Sequence, residues 1–353
     1  MNKIAIILTD NTESSIKTLS EEIASGLSGV YSVDIFSIKQ NNIFSKTDNI
    51  KPLKKYFWAL RRYDIIHLQT AIPISFAPLI KLFHPNATLL STEHDFGLNY
   101  FRNTLPFIKS FFLGLSLNIG KRFCIKNSYP SNALFFDTTK KKKITSRYAV
   151  VYNGIRDFYS LTDNSINNTT KTVVKKIVVV GNYYYSKGMD LILSIVRDYP
   201  DIEFHLFGDV LNGLTTLKKK ELQPIITRKN VFIHGKVERN FFINFLMNER
   251  CIVCIPSRSE SFSLVALEAM ASAHPIVVSN IPVFHEITDS SFAVMFNIDD
   301  IASLKQSINY AFHNYDELGY NAREMFLDKF TSKKMIDEYH QLYDSLLKIR
   351  IKQ

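Results

Sequence analysis

Apolar residues recur along the chain in short runs that alternate with stretches at helical spacing. KIAIIL (3–8) has the apolar continuity of a buried strand. SIKTLSEEIASGL follows, with Ile16, Leu19, Ile23 and Leu27 at intervals of three and four, which predicts a helix. YSVDIFSI, YDIIHLQT, ATLLSTEHD and YAVVYNGI are further short apolar runs. A second series starts at KKIVVVGNY. It continues through a helix over Met189 to Asp198, then IEFHLFG, VFIHG, CIVCIPS and HPIVVSN. Strands alternating with helices predict a parallel α/β architecture. Ligands in such sheets sit beyond the carboxyl ends of the strands. That rule places His67, Glu93, His94, Asp95, Asn153 and Gly154 on one rim.

Between the two series, Ser160 to Thr172 is polar and aperiodic, as a linker is. The pattern therefore predicts two Rossmann-like domains facing a cleft, over residues 1–165 and 166–334. From Ser332 onwards Met335, Tyr339, Leu342, Tyr343 and Leu346 hold helical spacing.

Composition adds limits. The 353 residues suit two domains, and 46% hydrophobic with 22% charged residues is ordinary for a soluble globular protein. The first residues lack the apolar run of a signal peptide, and no apolar stretch is long enough to span a bilayer. Three cysteines predict a reducing, cytoplasmic setting. Cys251 and Cys254 form a CxxC within an expected strand, where they point to opposite faces and suit neither metal nor redox chemistry. Net charge is +10, of which +9 accrues by Asp163. Such asymmetry suggests an anionic partner surface, with plain solubility as the other reading. KPLKKYFWALRRYD and LPFIKSFFLGLSLNIGKRF mix cations with large apolar residues, which suits an anionic membrane leaflet. The alternative is that Phe107, Phe111, Phe112 and Leu115 are core residues. Nucleic acid is not an expected partner, because no recognisable module supports it.

The candidate chemistry lies in SRSESFSLVALEAMASAHPIVVSN, from Ser257 to Asn280. Glu260 and Glu268 are eight residues apart, about 12 Å if the intervening chain is helical. A helix N-terminus between them offers unpaired N–H groups to an anion. An anion flanked by two polyols describes a nucleoside diphosphate sugar. The plain alternative is that Glu260 caps the helix and Glu268 pairs with a surface cation. VVVGNYYYSKGMDLIL adds a strand, Gly181, a tight loop and Lys187 at a helix start. A lysine there opposes the helix dipole unless an anion lies near.

GNYYYSKG, HLFGD, VFIHGKV and PSRSESFSLVALEAMASAHPIVVSNIPVFHEI occur in the order found in family 4 retaining glycosyltransferases, and the chain resembles that family. YDIIHLQT, STEHD and VYNGI are similar to its motifs in the first half. The resemblance implies a GT-B fold, with an acceptor domain first, a donor domain second, and a C-terminal helix (335–353) crossing back to the first. It implies that Glu260 contacts hydroxyls of the donor sugar and that Glu268 holds the ribose. Ser261, Phe262, Ser263 and Leu264 would offer backbone N–H groups, and Lys187 would neutralise the diphosphate. Gly181, Asn182 and Arg258 would border the phosphates, Lys236 and Val237 the base. His94 would face the reacting sugar or the acceptor.

Four positions depart from the family pattern. Asn182 replaces an arginine and Ser261 a glycine, Ala273-His274 replaces a glycine before the next strand, and DNTESS (10–15) lacks a glycine pair. The implied activity is metal-independent, configuration-retaining transfer of a hexose-type sugar from a nucleotide sugar to a glycan or lipid-linked glycan. The setting implied is bacterial surface polysaccharide assembly (O-antigen, capsule or lipopolysaccharide), in the cytoplasm or on the inner face of its membrane. No cofactor is expected, and the sequence leaves UDP and GDP donors open. A GT-B protein that binds nucleotide or glycan without transferring is the rival reading.

Overall fold

The computed structural model describes residues 1–10, 15–39, 50–94, 107–141, 143–158, 175–209 and 216–351. The linker expected at 160–172, most of the DNTESS loop, Asp95 and the start of the Leu105–Phe123 stretch lie outside the described residues. The chain forms two compact units. The first holds residues 1–155 and 332–353, the second residues 156–331.

Strands of the first unit are β1 (Lys3–Asp10), β2 (Ser32–Lys39), β3 (Ile50–Pro52), β4 (Ile65–Gln69), β5 (Thr88–Thr92), β6 (Lys126–Tyr129) and β7 (Tyr148–Val150). Its helices include α1 (Ser15–Leu27), α2 (Ala71–Ser75), α3 (Ala77–Phe83) and α4 (Phe107–Phe123). The second unit has β8 (Lys175–Val180), β9 (Ile202–Phe207), β10 (Val231–Gly235), β11 (Ile252–Ile255), β12 (Ile276–Ser279) and β13 (Ala293–Phe296). Among its helices are α5 (Met189–Ile195), α6 (Arg239–Asn248) and α7 (Leu264–Ala271). A last helix, α8 (Ser332–Ile351), belongs to the first unit.

Both sheets are parallel and doubly wound, in the orders β3-β2-β1-β4-β5-β6-β7 and β10-β9-β8-β11-β12-β13. Helices cover both faces of such a sheet, so the central strands read as continuous apolar runs rather than alternating ones. Ile4 to Ile7 in β1 and Ile252 to Cys254 in β11 are accordingly fully buried. In each sheet the chain order reverses between the first and fourth strand of the unit, at β1/β4 and at β8/β11. That reversal leaves a crevice at the carboxyl ends where doubly wound proteins bind ligands.

The returning helix α8 packs on α1. Tyr31 Oη donates to Asp344 (2.5 Å), Arg350 pairs with Asp64, and Tyr343 Oη lies 2.8 Å from His67 Nδ1. His67 is thus a core residue. It is fully buried in mid-strand, its Nε2 lies 2.6 Å from Thr92 Oγ1, and burial lowers its pKa to about 3. Of the expected rim, Glu93 and His94 do follow a strand end directly, and both are buried.

Candidate functional site

Most of the predicted site residues hang from the carboxyl ends of β8 and β11, beside the reversal point of the second sheet. The β8 loop starts at Gly181. Asn182 Oδ1 accepts from the Asp209 N–H (2.9 Å) and so ties this loop to the one after β9. A 3-10 turn over Tyr185–Lys187 leads to Gly188, in the left-handed region at φ 65°. A Cβ on Gly188 would stand 1.9 Å from the Pro256 carbonyl oxygen. Glycine therefore lets the β8 and β11 loops press together.

Arg258 holds that junction. Its backbone N–H donates to Ser186 O (2.8 Å) and its Nη1 to Tyr185 O (2.7 Å). The guanidinium grips Asp190 with both nitrogens (2.9 and 2.8 Å), reaches Asp299 (2.5 Å) and stacks over the Tyr185 ring at 3.9 Å. Hydrogen bonding to Asp190, then to Asp299, raises its pKa against the effect of burial. Arg258 is fully engaged as a strut between loops. Sequence reasoning named it but gave no signal for Asp190 or Asp299, which arrive from other segments.

Within this frame Lys187 Nζ donates to Glu260 Oε1 (2.7 Å), and Ser257 Oγ donates to the same oxygen (2.8 Å). The anion that offsets a lysine at a helix start is thus, in the chain itself, a carboxylate. Glu260 lies in irregular chain and α7 begins only at Leu264, so the helical spacing assumed between Glu260 and Glu268 does not hold. Nor does Glu260 cap the helix. Ser263 does, its hydroxyl accepting from the Ala266 N–H (3.4 Å). Ser263 adopts φ 88°, a region non-glycine residues enter at a cost of about 1–3 kcal/mol and where functional sites concentrate. Phe262 before it is buried against Phe330, which anchors the start of α7.

Glu268 is buried on α7 and accepts from Arg239 Nε, the first residue of α6 (2.7 Å). Burial raises its pKa while Arg239 opposes the rise. Arg239 Nη2 is buried with no hydrogen-bond partner, and the guanidinium lies over the Phe158 ring at 5.6 Å. Lys236 is exposed and Val237 half-buried in the turn between β10 and α6. His234 stacks flat on Phe207 at 4.2 Å and is a packing residue.

In the first unit His94 follows β5. The side-chain amide oxygen Oε1 of Gln69 lies 2.6 Å from Nε2, and since an amide oxygen only accepts, Nε2 donates. Burial lowers the imidazole pKa to about 4, so it is neutral at pH 7. Glu93 pairs with Lys121, and Gly154 N–H meets the Met335 sulfur at 3.2 Å. Cys251 and Cys254 are free and buried, and burial pushes both thiols well up, which leaves them unreactive. Among the described residues no group of three or more His, Cys, Asp or Glu side chains is placed to hold a metal ion.

The chain shares this organisation with known proteins. Residues 163–325 match the family described as Glycosyl transferases group 1. The chain is 25% identical to the O-antigen biosynthesis glycosyltransferase WclY of Escherichia coli, with 98% of this chain and 99% of that protein covered. It is 25% identical to the O-antigen chain mannosyltransferase RfbU of Salmonella typhimurium, over 76% and 74% of the two chains. Among solved structures, Anabaena Alr3699/HepE in complex with UDP-glucose superposes with a TM-score of 0.80 at 16% identity, covering 97% and 99%. WaaG, a glycosyltransferase involved in lipopolysaccharide biosynthesis, does so with a TM-score of 0.71 at 13% identity, covering 96% and 99%.

Proposed function

We propose, from the premise that this chain belongs to the glycosyl transferases group 1 and has the GT-B fold, that it transfers sugar from a nucleotide sugar in the building of a bacterial surface polysaccharide. The observation that carries the reading is the convergence of Lys187, Glu260 and the start of α7 at the β8/β11 reversal, with Glu268 on the same helix. The relatives named for O-antigen assembly support the setting.

In this reading the donor diphosphate lies at the amino end of α7. Ser263 and Leu264 N–H groups and Lys187 then face charge that grows as the diphosphate departs, which is where fixed donors lower a barrier most. Glu260 is shared between Lys187 and the sugar hydroxyls, Glu268 between Arg239 and the ribose. Arg239, whose Nη2 has no hydrogen-bond partner, is a cation that could take the role Asn182 has given up. Gly181 and Asn182 shape the loop, and Lys236 and Val237 border the base. His94, neutral and protonated on Nε2, contributes a hydrogen bond rather than a charge at the sugar or acceptor.

The transfer retains anomeric configuration and needs no metal. The acceptor oxygen bonds to the anomeric carbon from the side the phosphate leaves, and the departing phosphate oxygen takes the acceptor proton. A hexose-type sugar, a glycan or lipid-linked glycan acceptor and attachment to the inner surface of the cytoplasmic membrane belong to the same proposal.

Thermal melting with UDP, GDP, ADP and their sugars tests it, with Glu268→Ala as control. A nucleotide at 100 times its dissociation constant adds about 2.7 kcal/mol. One nucleotide is expected to raise Tm in the parent and not in the variant. A flat response to every nucleotide would overturn the donor site and favour a GT-B protein that binds glycan without transfer.

A further inference from the structure

Helix α4 is packed inside out. Its buried face consists of Ser110, Gly114, Leu117 and Gly120, three of them small. A Cβ on Gly120 would lie 2.0 Å from the Ile74 carbonyl, so this face fits tightly against α2. The large residues point the other way. Phe111 and Phe112 are 55% and 63% exposed, with Leu115, Ile119 and Phe123 along the same side. These are the residues whose core placement was the simpler sequence reading; the structure puts Phe111, Phe112 and Leu115 outside. An ordinary surface helix shows the opposite arrangement.

The exposed apolar surface extends beyond α4. Helix α3 packs against it and turns Leu79, Leu82 and Phe83 outward. Trp58, 65% exposed in the 3-10 turn Phe57–Arg62, meets the Phe83 ring edge-on at 5.3 Å. Exposed apolar side chains on three elements in succession, the turn meeting α3 through Trp58 and Phe83 and α3 packing on α4, mark an interaction site rather than scatter.

Its charge fits one kind of partner. Arg61, Arg62, Lys109 and Arg122 lie exposed on these same elements, and Lys54 and Lys55 on the short helical segment Leu53–Tyr56 just before the turn. From Ile50 to Thr92 the only acidic residue is Asp64, which pairs with Arg350 on α8, and α4 has none. Exposed aromatic residues on elements that carry cations and no acids match lipid headgroups over an acyl boundary. No helix among the described residues is long and apolar enough to cross a membrane.

We propose that this face of the first unit lies flat on an anionic phospholipid bilayer, with Trp58, Phe83, Phe111 and Phe112 at the acyl boundary and the surrounding cations at the phosphates. The inference names the surface by which the membrane attachment in the reading above would occur, and it stands apart from the transfer reaction.

Trp58 is the only tryptophan in the chain, so its emission reports on this face alone. The full-length protein is titrated with vesicles of phosphatidylethanolamine and phosphatidylglycerol, and with phosphatidylcholine vesicles. A blue shift and co-flotation are expected with the first and not the second. Salt near 1 M shortens the screening length to about 3 Å and is expected to weaken binding about tenfold or more. Phe112→Ser with Leu115→Ser, both exposed, is expected to cut binding at least about tenfold with Tm unchanged. No blue shift and no flotation, equal binding to phosphatidylcholine, or a dimer in solution that Phe112→Ser breaks would each overturn the proposal. Nucleotide stabilisation, measured on the same samples without vesicles, tells this failure from failure of the donor site.

Discussion

Lys187 and Glu260 are joined at 2.7 Å across the gap between two loops that leave neighbouring parallel strands. Each residue holds the other beside the amino end of α7. The lysine is therefore already positioned, and already partly neutralised, before any phosphate arrives. Lys187→Met is expected to lower turnover about 10²–10³-fold, as loss of one fixed donor to departing charge does. Lys187→Arg is expected to recover part of it. Release of free nucleoside diphosphate from the sugar donor measures this. Unchanged turnover in Lys187→Met would remove the lysine from the chemistry.

Arg258 binds two carboxylates and a backbone carbonyl while nearly buried. Lysine cannot reproduce the two-pronged contact to Asp190. Arg258→Lys is expected to destabilise the protein by about 2 kcal/mol, within the range for hydrogen bonds to charged groups. Denaturant unfolding measures the loss. A variant as stable as the parent that binds nucleotide more weakly would instead make Arg258 a direct phosphate ligand.

Stability is expected to fall on acidification. Burial holds His94 and His274 near pKa 4 and His67 near 3, against about 6.5 in the unfolded chain. Below pH about 6.5 the unfolded chain takes up protons that the folded one refuses. The stability these neutral rings contribute is complete above that pH and drains away as pH falls toward 4. Each is worth on the order of 3–5 kcal/mol once fully lost. A denaturant midpoint that stays flat between pH 7 and pH 5 would show that these imidazoles meet solvent.

Ala273 follows the end of α7 at φ 55°. The left-handed region costs alanine about 1–2 kcal/mol, and glycine usually fills this place after a helix. Ala273→Gly is expected to raise stability by about 0.5–1 kcal/mol after the entropic cost of glycine. Lower stability in the glycine variant would show that the methyl group's packing outweighs the strain.

The fold was legible because buried parallel strands are written as short apolar runs, and every run named in the sequence became a strand. Lys187, Glu260 and Glu268 stand out in the sequence as candidates by type and order, and the structure joins the first two. Other partners do not stand out. Arg239 reaches Glu268 from a different helix, and Asp190 and Asp299 reach Arg258 from two other segments. Such pairings arise only when loops from several strands converge, and spacing along one segment carries no trace of them. No continuous helix joins the two glutamates, because Ser263, at positive φ, starts the helix four residues after Glu260. Helix α4 was ambiguous for another reason. Glycine and serine on one side and phenylalanine on the other leave a pattern that does not say which side faces in.

Helix α8 completes the first unit although the whole second unit precedes it in the chain. On the ribosome, residues 1–155 must wait until residues 156–331 have been synthesised before Tyr343 can reach His67 and Asp344 can reach Tyr31. The half of the molecule made first is finished last. Until then its sheet waits without the helix that seals one face, and the second unit, whose residues 156–331 are all made before α8, has the earlier chance to fold.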